Sequence, residues 1–114
     1  MIFKKGKSVD CEYFKVFVLI KKKEVPNIDE TIIRLGYIIN KKIGSSVIRN
    51  KIKRRLKEII RNYKKNVIKN DGFDIDILII VKKEILLLNY NLLGVLLCKH
   101  IESIIENFKK SDLK

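Results

Sequence analysis

Three runs of apolar residues along the chain predict β-strands. Residues 13–21 read YFKVFVLIK and residues 74–82 read DIDILIIVK, and both are rich in β-branched and aromatic residues. Residues 32–39 form a similar run that contains Gly36, and a glycine inside a strand indicates a bulge or the close approach of another backbone. The single proline, Pro26, falls in the loop predicted over residues 24–30.

Residues 47–67 follow a helical period instead. At 100° per residue the apolar positions form one stripe, which we expect to pack on the sheet: Ile48, Ile52, Leu56, Ile59, Ile60, Tyr63 and Val67. Polar positions fall on the opposite side: Asn50, Lys53, Arg54, Lys57, Arg61 and Lys64, with Arg49 at the border. Residues 41–46 turn the chain before this helix, where Gly44 can take φ > 0 and Ser45 or Ser46 can provide the cap.

A second amphipathic helix is predicted over residues 91–108, with the apolar positions Leu93, Leu97, Ile101, Ile104, Ile105 and Phe108. The predicted order is therefore β-β-α-β-α, an α+β arrangement of one sheet and its helices within a single domain, residues 1–114. A strand–helix–strand crossover is part of this order. The general expectation for such a crossover is a right-handed connection.

Charge changes the picture because it is concentrated in one segment. The chain carries a formal net charge of +13 over 114 residues, and the segment 41–69 holds 12 of the basic residues but only one acid, Glu58. That segment alone contributes +11. A basic membrane-surface helix is the main alternative, but this apolar stripe is needed to cover the sheet and interfacial tryptophan is absent. A polyanion such as nucleic acid is the partner that this pattern favours.

Other chemistry has weaker support in the sequence. The apolar runs are far shorter than a bilayer requires, and residues 1–10 do not resemble a secretory signal peptide, so we expect a cytoplasmic protein with no membrane partner. Cys11, Cys98 and His100 have poor zinc spacing, and we expect two reduced, mostly buried thiols. Asp74 and Asp76 share a strand face and could hold a metal, although a solvated strand entrance is the more ordinary interpretation.

The segment KKIGSSVIRNKIKRRLKE, residues 41–58, closely resembles the signature of the bacterial ribonuclease P protein component. That signature is a Lys-Lys turn, a glycine, two small residues and an Arg-Asn-Arg-x-Lys-Arg helix. The flanking segments RLGYIINKK and DILIIVKK are similar to the family's second and third strands. The resemblance extends over essentially the whole chain.

The resemblance implies a ribosomal protein S5 domain 2-like fold with a left-handed βαβ crossover, which would replace the generic right-handed expectation. It also implies a function. The family's protein binds the ribonuclease P RNA subunit, and the complex removes the 5′ leader of precursor tRNA. Hydrolysis is carried by the RNA with Mg²⁺, so no catalytic residue and no metal site is expected in the protein. No further protein partner is required.

The resemblance also assigns residues to RNA binding. Lys41, Lys42, Arg49, Asn50, Lys51, Lys53, Arg54, Lys57 and Arg61 fall on the basic turn and the signature helix. Lys51 and Lys57 stand where arginine is usual, which preserves the charge but loses the planar guanidinium fork.

A leader-binding cleft is implied as well, and its expected residues are Phe3, Tyr13, Lys15 and Phe17. Aromatic faces stack on bases without strong sequence preference, although core packing is an equally ordinary role for Phe17. The family has a further basic segment and helix before the position of Phe3, so the first family helix is expected to be truncated in this sequence.

Two other hypotheses stay open at this stage. A structural RNA-binding protein, such as a small ribosomal protein, could use the same basic helix without a role in processing. A self-contained nuclease would need a carboxylate or histidine cluster, for which only Asp74 and Asp76 are candidates.

Overall fold

A computed structural model describes residues 7–22, 33–66 and 73–112 as an α+β fold. Four strands and two helices follow in the order β-β-β-α-β-α. These elements are β1 (Lys7–Asp10), β2 (Phe14–Lys22), β3 (Ile33–Ile39), α1 (Ser46–Asn66), β4 (Phe73–Val81) and α2 (Tyr90–Asp112). Two short 3₁₀ turns, Lys41–Ile43 and Lys83–Leu87, precede α1 and α2. The predicted loop around Pro26 lies outside the described residues.

The three predicted strands and two predicted helices are present, but the predicted order lacked β1. This strand has only four residues, KSVD, and three of them are exposed. It therefore offers almost no apolar alternation from which a strand can be recognised. It forms because its backbone pairs with β2, with Val9 opposite Val16 and Ser8 opposite Phe17.

The strands form one sheet in the order β1-β2-β4-β3. β1 and β4 are both antiparallel to β2, whereas β3 runs parallel to β4. A parallel pair needs a crossover, and α1 lies between β3 and β4 in the chain. The expected βαβ unit is therefore present, and its left-handed sense stays a prediction.

The core lies between one face of the sheet and the two helices. Alternate residues of β2 and β4, such as Val16 and Ile79, are fully buried on this face. The helices contribute Ile52, Leu56, Ile59, Ile60 and Tyr63 from α1 and Leu93, Leu97, Ile101 and Ile104 from α2. Both amphipathic stripes are thus confirmed over most of their length. Ile48 is the exception at 40% exposed, and Val67 lies outside the described residues.

We call the opposite side of the sheet the open sheet face, because both described helices pack on the core side. Its side chains alternate with the core residues and are mostly half-buried or exposed: Lys15, Phe17, Leu19, Lys21, Arg34, Gly36, Ile38, Asp76, Leu78 and Ile80. Gly36 keeps the β3–β4 register unbroken, so there is no bulge. A Cβ at Gly36 would lie 3.3 Å from Leu78 Cδ1, which explains the glycine by close approach of a side chain.

Within the described ranges, no helix is both long and apolar enough to cross a bilayer.

Candidate nucleic-acid interface

The basic helix begins at a well-defined turn. The Asn40 side chain accepts a hydrogen bond from the Lys42 backbone N–H at 2.9 Å, and Ile43 is buried in the core. Ser45 Oγ then accepts from the Ile48 backbone N–H at 3.3 Å, so Ser45 provides the predicted cap. Gly44 has φ 166°, which is extended backbone, and the expectation of a left-handed glycine is wrong. Its added Cβ would instead approach Ile48 side-chain atoms at 3.1 Å.

The exposed side of α1 and of its preceding turn forms a surface that we call the cationic face. The side chains of this face are exposed, with Arg49 half-buried: Lys41, Lys42, Arg49, Asn50, Lys51, Lys53, Arg54, Lys57 and Arg61. All nine residues assigned from the sequence therefore lie on this helix and on the turn before it, and eight of them are exposed. The side chain of Lys64 lies outside the described residues.

The electrostatics of this face are strongly one-sided. The first turn of α1 contains no acid, and Glu58 is the one acidic residue in the helix. Like charges spaced three or four apart on a helix cost a few tenths of a kcal/mol per pair. The N–H groups of the first turn of α1, of which that of Ile48 is capped by Ser45, add a partial positive charge at this end of the helix. A phosphate backbone would relieve this repulsion and satisfy these donors.

Two arginines of α1 have environments that the sequence did not reveal. The Nε of Arg49 is buried and has no hydrogen-bond acceptor within the described part of the chain. The guanidinium of Arg55 lies over the ring of Tyr90, 5.7 Å from its centroid, and so connects α1 to the start of α2. Arg55 is therefore held by a cation–π contact inside the fold.

The open sheet face brings together part of the expected leader cleft. Lys15 Nζ lies 5.0 Å from the centroid of the Phe17 ring, and both side chains are half-buried on this face. Phe17 pairs with Leu78 across the β2–β4 ladder, away from the core. Tyr13 directly precedes β2, is half-buried and packs against the core cluster, and its place in the cleft stays a prediction. Phe3 lies outside the described residues.

An ion cluster on the same face was missed at the sequence level. Asp76 is only 2% exposed, and its carboxylate accepts hydrogen bonds from Arg34 Nε at 2.8 Å and Nη2 at 3.3 Å. Lys21 Nζ lies 3.1 Å from the same carboxylate. The interpretation of Asp76 as part of a solvated strand entrance is wrong. Parallel pairing sets Arg34 opposite Asp76, a contact across 42 positions that no local pattern predicts.

His100, Cys11 and Cys98 are the residues whose zinc spacing is poor in the sequence. The His100 ring lies edge-on to Phe14, with 5.7 Å between centroids. Cys11 and Cys98 are free thiols of intermediate burial, and burial raises the pKa of Cys98 with a smaller contribution from Glu102. Among the described residues there is no group of three His, Cys, Asp or Glu side chains that could hold a metal ion.

Comparison with protein families gives a match over nearly the whole chain. The Ribonuclease P family model matches residues 1–107. The ribonuclease P protein component of Bacillus cereus strain AH187 is 34% identical over 113 residues, which cover 99% of this chain and 84% of that protein. The corresponding protein of Mycoplasma capricolum is 40% identical over 76 residues, which cover 67% of each chain.

Solved structures give the same relationship. The Staphylococcus aureus RNase P protein superposes with a TM-score of 0.60 at 29% identity, covering 95% of this chain and 85% of that one. The Thermotoga maritima RNase P protein in complex with 1-(4-fluorophenyl)-2-thiourea gives a TM-score of 0.56 at 30% identity, covering 94% and 86%. The arrangement of one sheet and two helices is thus shared with these proteins.

Proposed function

The chain belongs to the ribonuclease P protein component family, and from this premise we propose that it binds the ribonuclease P RNA subunit and helps to remove the 5′ leader of precursor tRNA. The single observation that carries the proposal is the cationic face. Nine exposed or half-exposed polar residues, eight of them basic, lie on one helix and its turn, with Glu58 as the helix's one acid. Such a surface suits a phosphate backbone.

The proposal divides the work between the two macromolecules. The RNA subunit carries the hydrolysis and uses Mg²⁺, while this chain contributes binding and orientation. Residues of the cationic face neutralise phosphates of the RNA subunit, and the backbone N–H groups at the start of α1 bind one further phosphate. The complex acts in the cytoplasm and needs neither a membrane nor another protein.

The open sheet face takes the single-stranded leader in this proposal. Phe17 offers an aromatic surface on which a base can stack, and Lys15 beside it offers a charge for the neighbouring phosphate. Lys15 already lies over the Phe17 ring, so the two side chains are arranged as a unit. Stacking is indifferent to base identity, which suits a protein that meets many different leaders.

The salt dependence of RNA binding tests the contact made by the cationic face. Replacement Arg54→Ala should weaken binding to a bacterial ribonuclease P RNA and lower the slope of log K against log salt by about one unit. The reason is that each neutralised phosphate contributes roughly 0.9 to the slope. The measurement is a titration of labelled RNA at four or five salt concentrations.

Lys99→Ala is the matched control, because Lys99 is an exposed cation on α2, outside the cationic face. Its slope should equal that of the wild-type protein. An unchanged slope for Arg54→Ala would remove Arg54 from the interface. Equal changes of slope in both variants would mean that the slope depends on the net charge of the protein and not on a contact made by Arg54.

A further inference from the structure

A second feature adjoins the cationic face and is apolar. A cleft of about 220 Å³ lies between α1, the 3₁₀ turn Lys83–Leu87 and the start of α2. We call it the apolar cleft, and its walls are Ile48, Lys51, Ile52, Arg55, Ile85, Leu86, Leu88 and Leu93. Six of these eight residues are aliphatic, and the other two are cations of α1.

Large aliphatic side chains are exposed around this cleft. Leu87 is 79% exposed and Val47 is 71% exposed, and each is adjacent in sequence to a residue of the cleft wall. Ile48, Leu86 and Leu92 are also exposed among the described residues. Single exposed aliphatic residues are ordinary, but a group of them around one depression marks an interaction site. The amphipathic stripe of α1 explains Ile52 as core, whereas Ile48 on the same stripe stays 40% exposed.

The charge around the cleft indicates the class of its partner. Both polar residues of the wall, Lys51 and Arg55, are basic, and none of the eight wall residues is acidic. Lys51 also belongs to the cationic face, so the cleft continues that surface without a boundary. Arg55 is held in place by its contact with the Tyr90 ring. A ligand here meets apolar walls and positive charge together, a combination that suits a base attached to its phosphates.

Size and charge disfavour other occupants. The cleft is smaller than the roughly 300 Å³ at which sites for drug-sized ligands begin, so it accepts one ring or one side chain. A second copy of this chain, docked through the same surface, would bring two sets of Lys51 and Arg55 together. Because the cationic face carries almost no acid, that contact would be repulsive.

We propose that the apolar cleft receives an unstacked base of the ribonuclease P RNA subunit, with the flanking phosphates on Lys51 and Arg55. The inference rests on the proposed function and adds to it a contact that does not depend on charge. Binding of the RNA subunit then has two components. One is the release of counterions from phosphates, and the other is burial of the base against Ile48, Leu86 and Leu88, which salt does not screen.

The test uses the full chain with Ile48 and Leu86, two exposed residues of the cleft wall, both replaced by Ser. Both side chains are exposed, so the variant should keep its fold, and its thermal unfolding is measured first. Val95→Ser is the matched control, since Val95 is 64% exposed on α2 and is not part of the cleft wall. Labelled RNA subunit is titrated with each protein across a range of salt concentrations.

The double variant should bind about five- to tenfold more weakly at every salt concentration, with the wild-type slope. Chemical probing should find a base that is protected in complexes with wild-type protein and with Val95→Ser, but reactive in the complex with the double variant. Wild-type affinity in the double variant would overturn the proposal. So would loss of a wild-type dimer in the double variant with unchanged RNA affinity, because the cleft would then join two copies.

Failure of the proposed function would look different. In that case the wild-type protein itself would not bind the RNA subunit, and the cleft proposal would fall with it. A normal wild-type titration together with an unaffected double variant would overturn the cleft proposal alone.

Discussion

The basic side chains of this protein fall into two groups with different surroundings. Lys21 and Arg34 are both exposed, yet both contact the buried carboxylate of Asp76, which would be costly without them. Lys53 and Arg54 are exposed on a helix face that offers them almost no acid. Counting basic residues in the sequence gives both kinds the same weight. The structure separates them, because Lys21 and Arg34 share one carboxylate within the fold whereas Lys53 and Arg54 face solvent.

Phe17 is the residue at which the proposed leader contact can be examined alone. Phe17→Ala should weaken binding of the holoenzyme to precursor tRNA roughly tenfold, because stacking on an aromatic face contributes about 1–3 kcal/mol per base. Binding of mature tRNA, which has no leader, should not change. Dissociation constants for the two RNAs provide the measurement.

Phe17→Tyr serves as the control, because it keeps the aromatic face and should keep leader binding. An equal loss for precursor and mature tRNA in Phe17→Ala would mean that Phe17 acts through packing of the sheet. Equal stability of Phe17→Ala and wild type in thermal unfolding would support the direct contact.

At the scale of elements, the two helices are the part of the fold that the sequence predicted best. Helical periodicity is a local property, and each helix buries most of its apolar stripe as expected. β1 and the Asp76 cluster could not be predicted in this way, because they depend on strand pairing between distant segments. The apolar cleft was also missed. Its wall combines α1 with a 3₁₀ turn and with α2, and no pattern within one element reveals it.

The burial of Tyr63 on α1 should make the folded protein less stable at high pH. Tyr63 is 4% exposed, and burial raises its pKa to about 12, with the negative charge of Glu102, Cys98 and Glu106 adding to the effect. The folded protein therefore keeps the Tyr63 proton between pH 10 and 12, where the unfolded chain loses it. This group's contribution to stability is fully present below pH 10 and is lost as pH rises toward 12.

Tyr63→Phe removes this titration. From pH 9 to pH 11.5 the free energy of unfolding should decrease more in the wild-type protein than in Tyr63→Phe. The two decreases should differ by about 1–2 kcal/mol. Urea denaturation at a series of pH values gives the two profiles. Parallel profiles over that range would show that Tyr63 does not hold its proton, and that its hydroxyl reaches water between the helices.

For the whole molecule, the sheet divides the surface into two regions with different proposed roles. α1 and α2 pack on one face, so the cationic face and the apolar cleft lie on the helical side, while Lys15 and Phe17 lie on the open sheet face. The family and the basic helix were predicted from the sequence, since a local motif carries both. The separation of the two surfaces was not predicted from the sequence, because it follows from the strand order β1-β2-β4-β3.

We propose that this chain is the working protein subunit of a ribonuclease P. The most direct measurement is cleavage of a precursor tRNA at its 5′ end by a bacterial ribonuclease P RNA at low Mg²⁺, with and without the protein. We expect strong stimulation over RNA alone and no cleavage by the protein alone. A cleavage rate that is the same with and without the protein would rule out this function. Cleavage by the protein in the absence of RNA would rule it out as well.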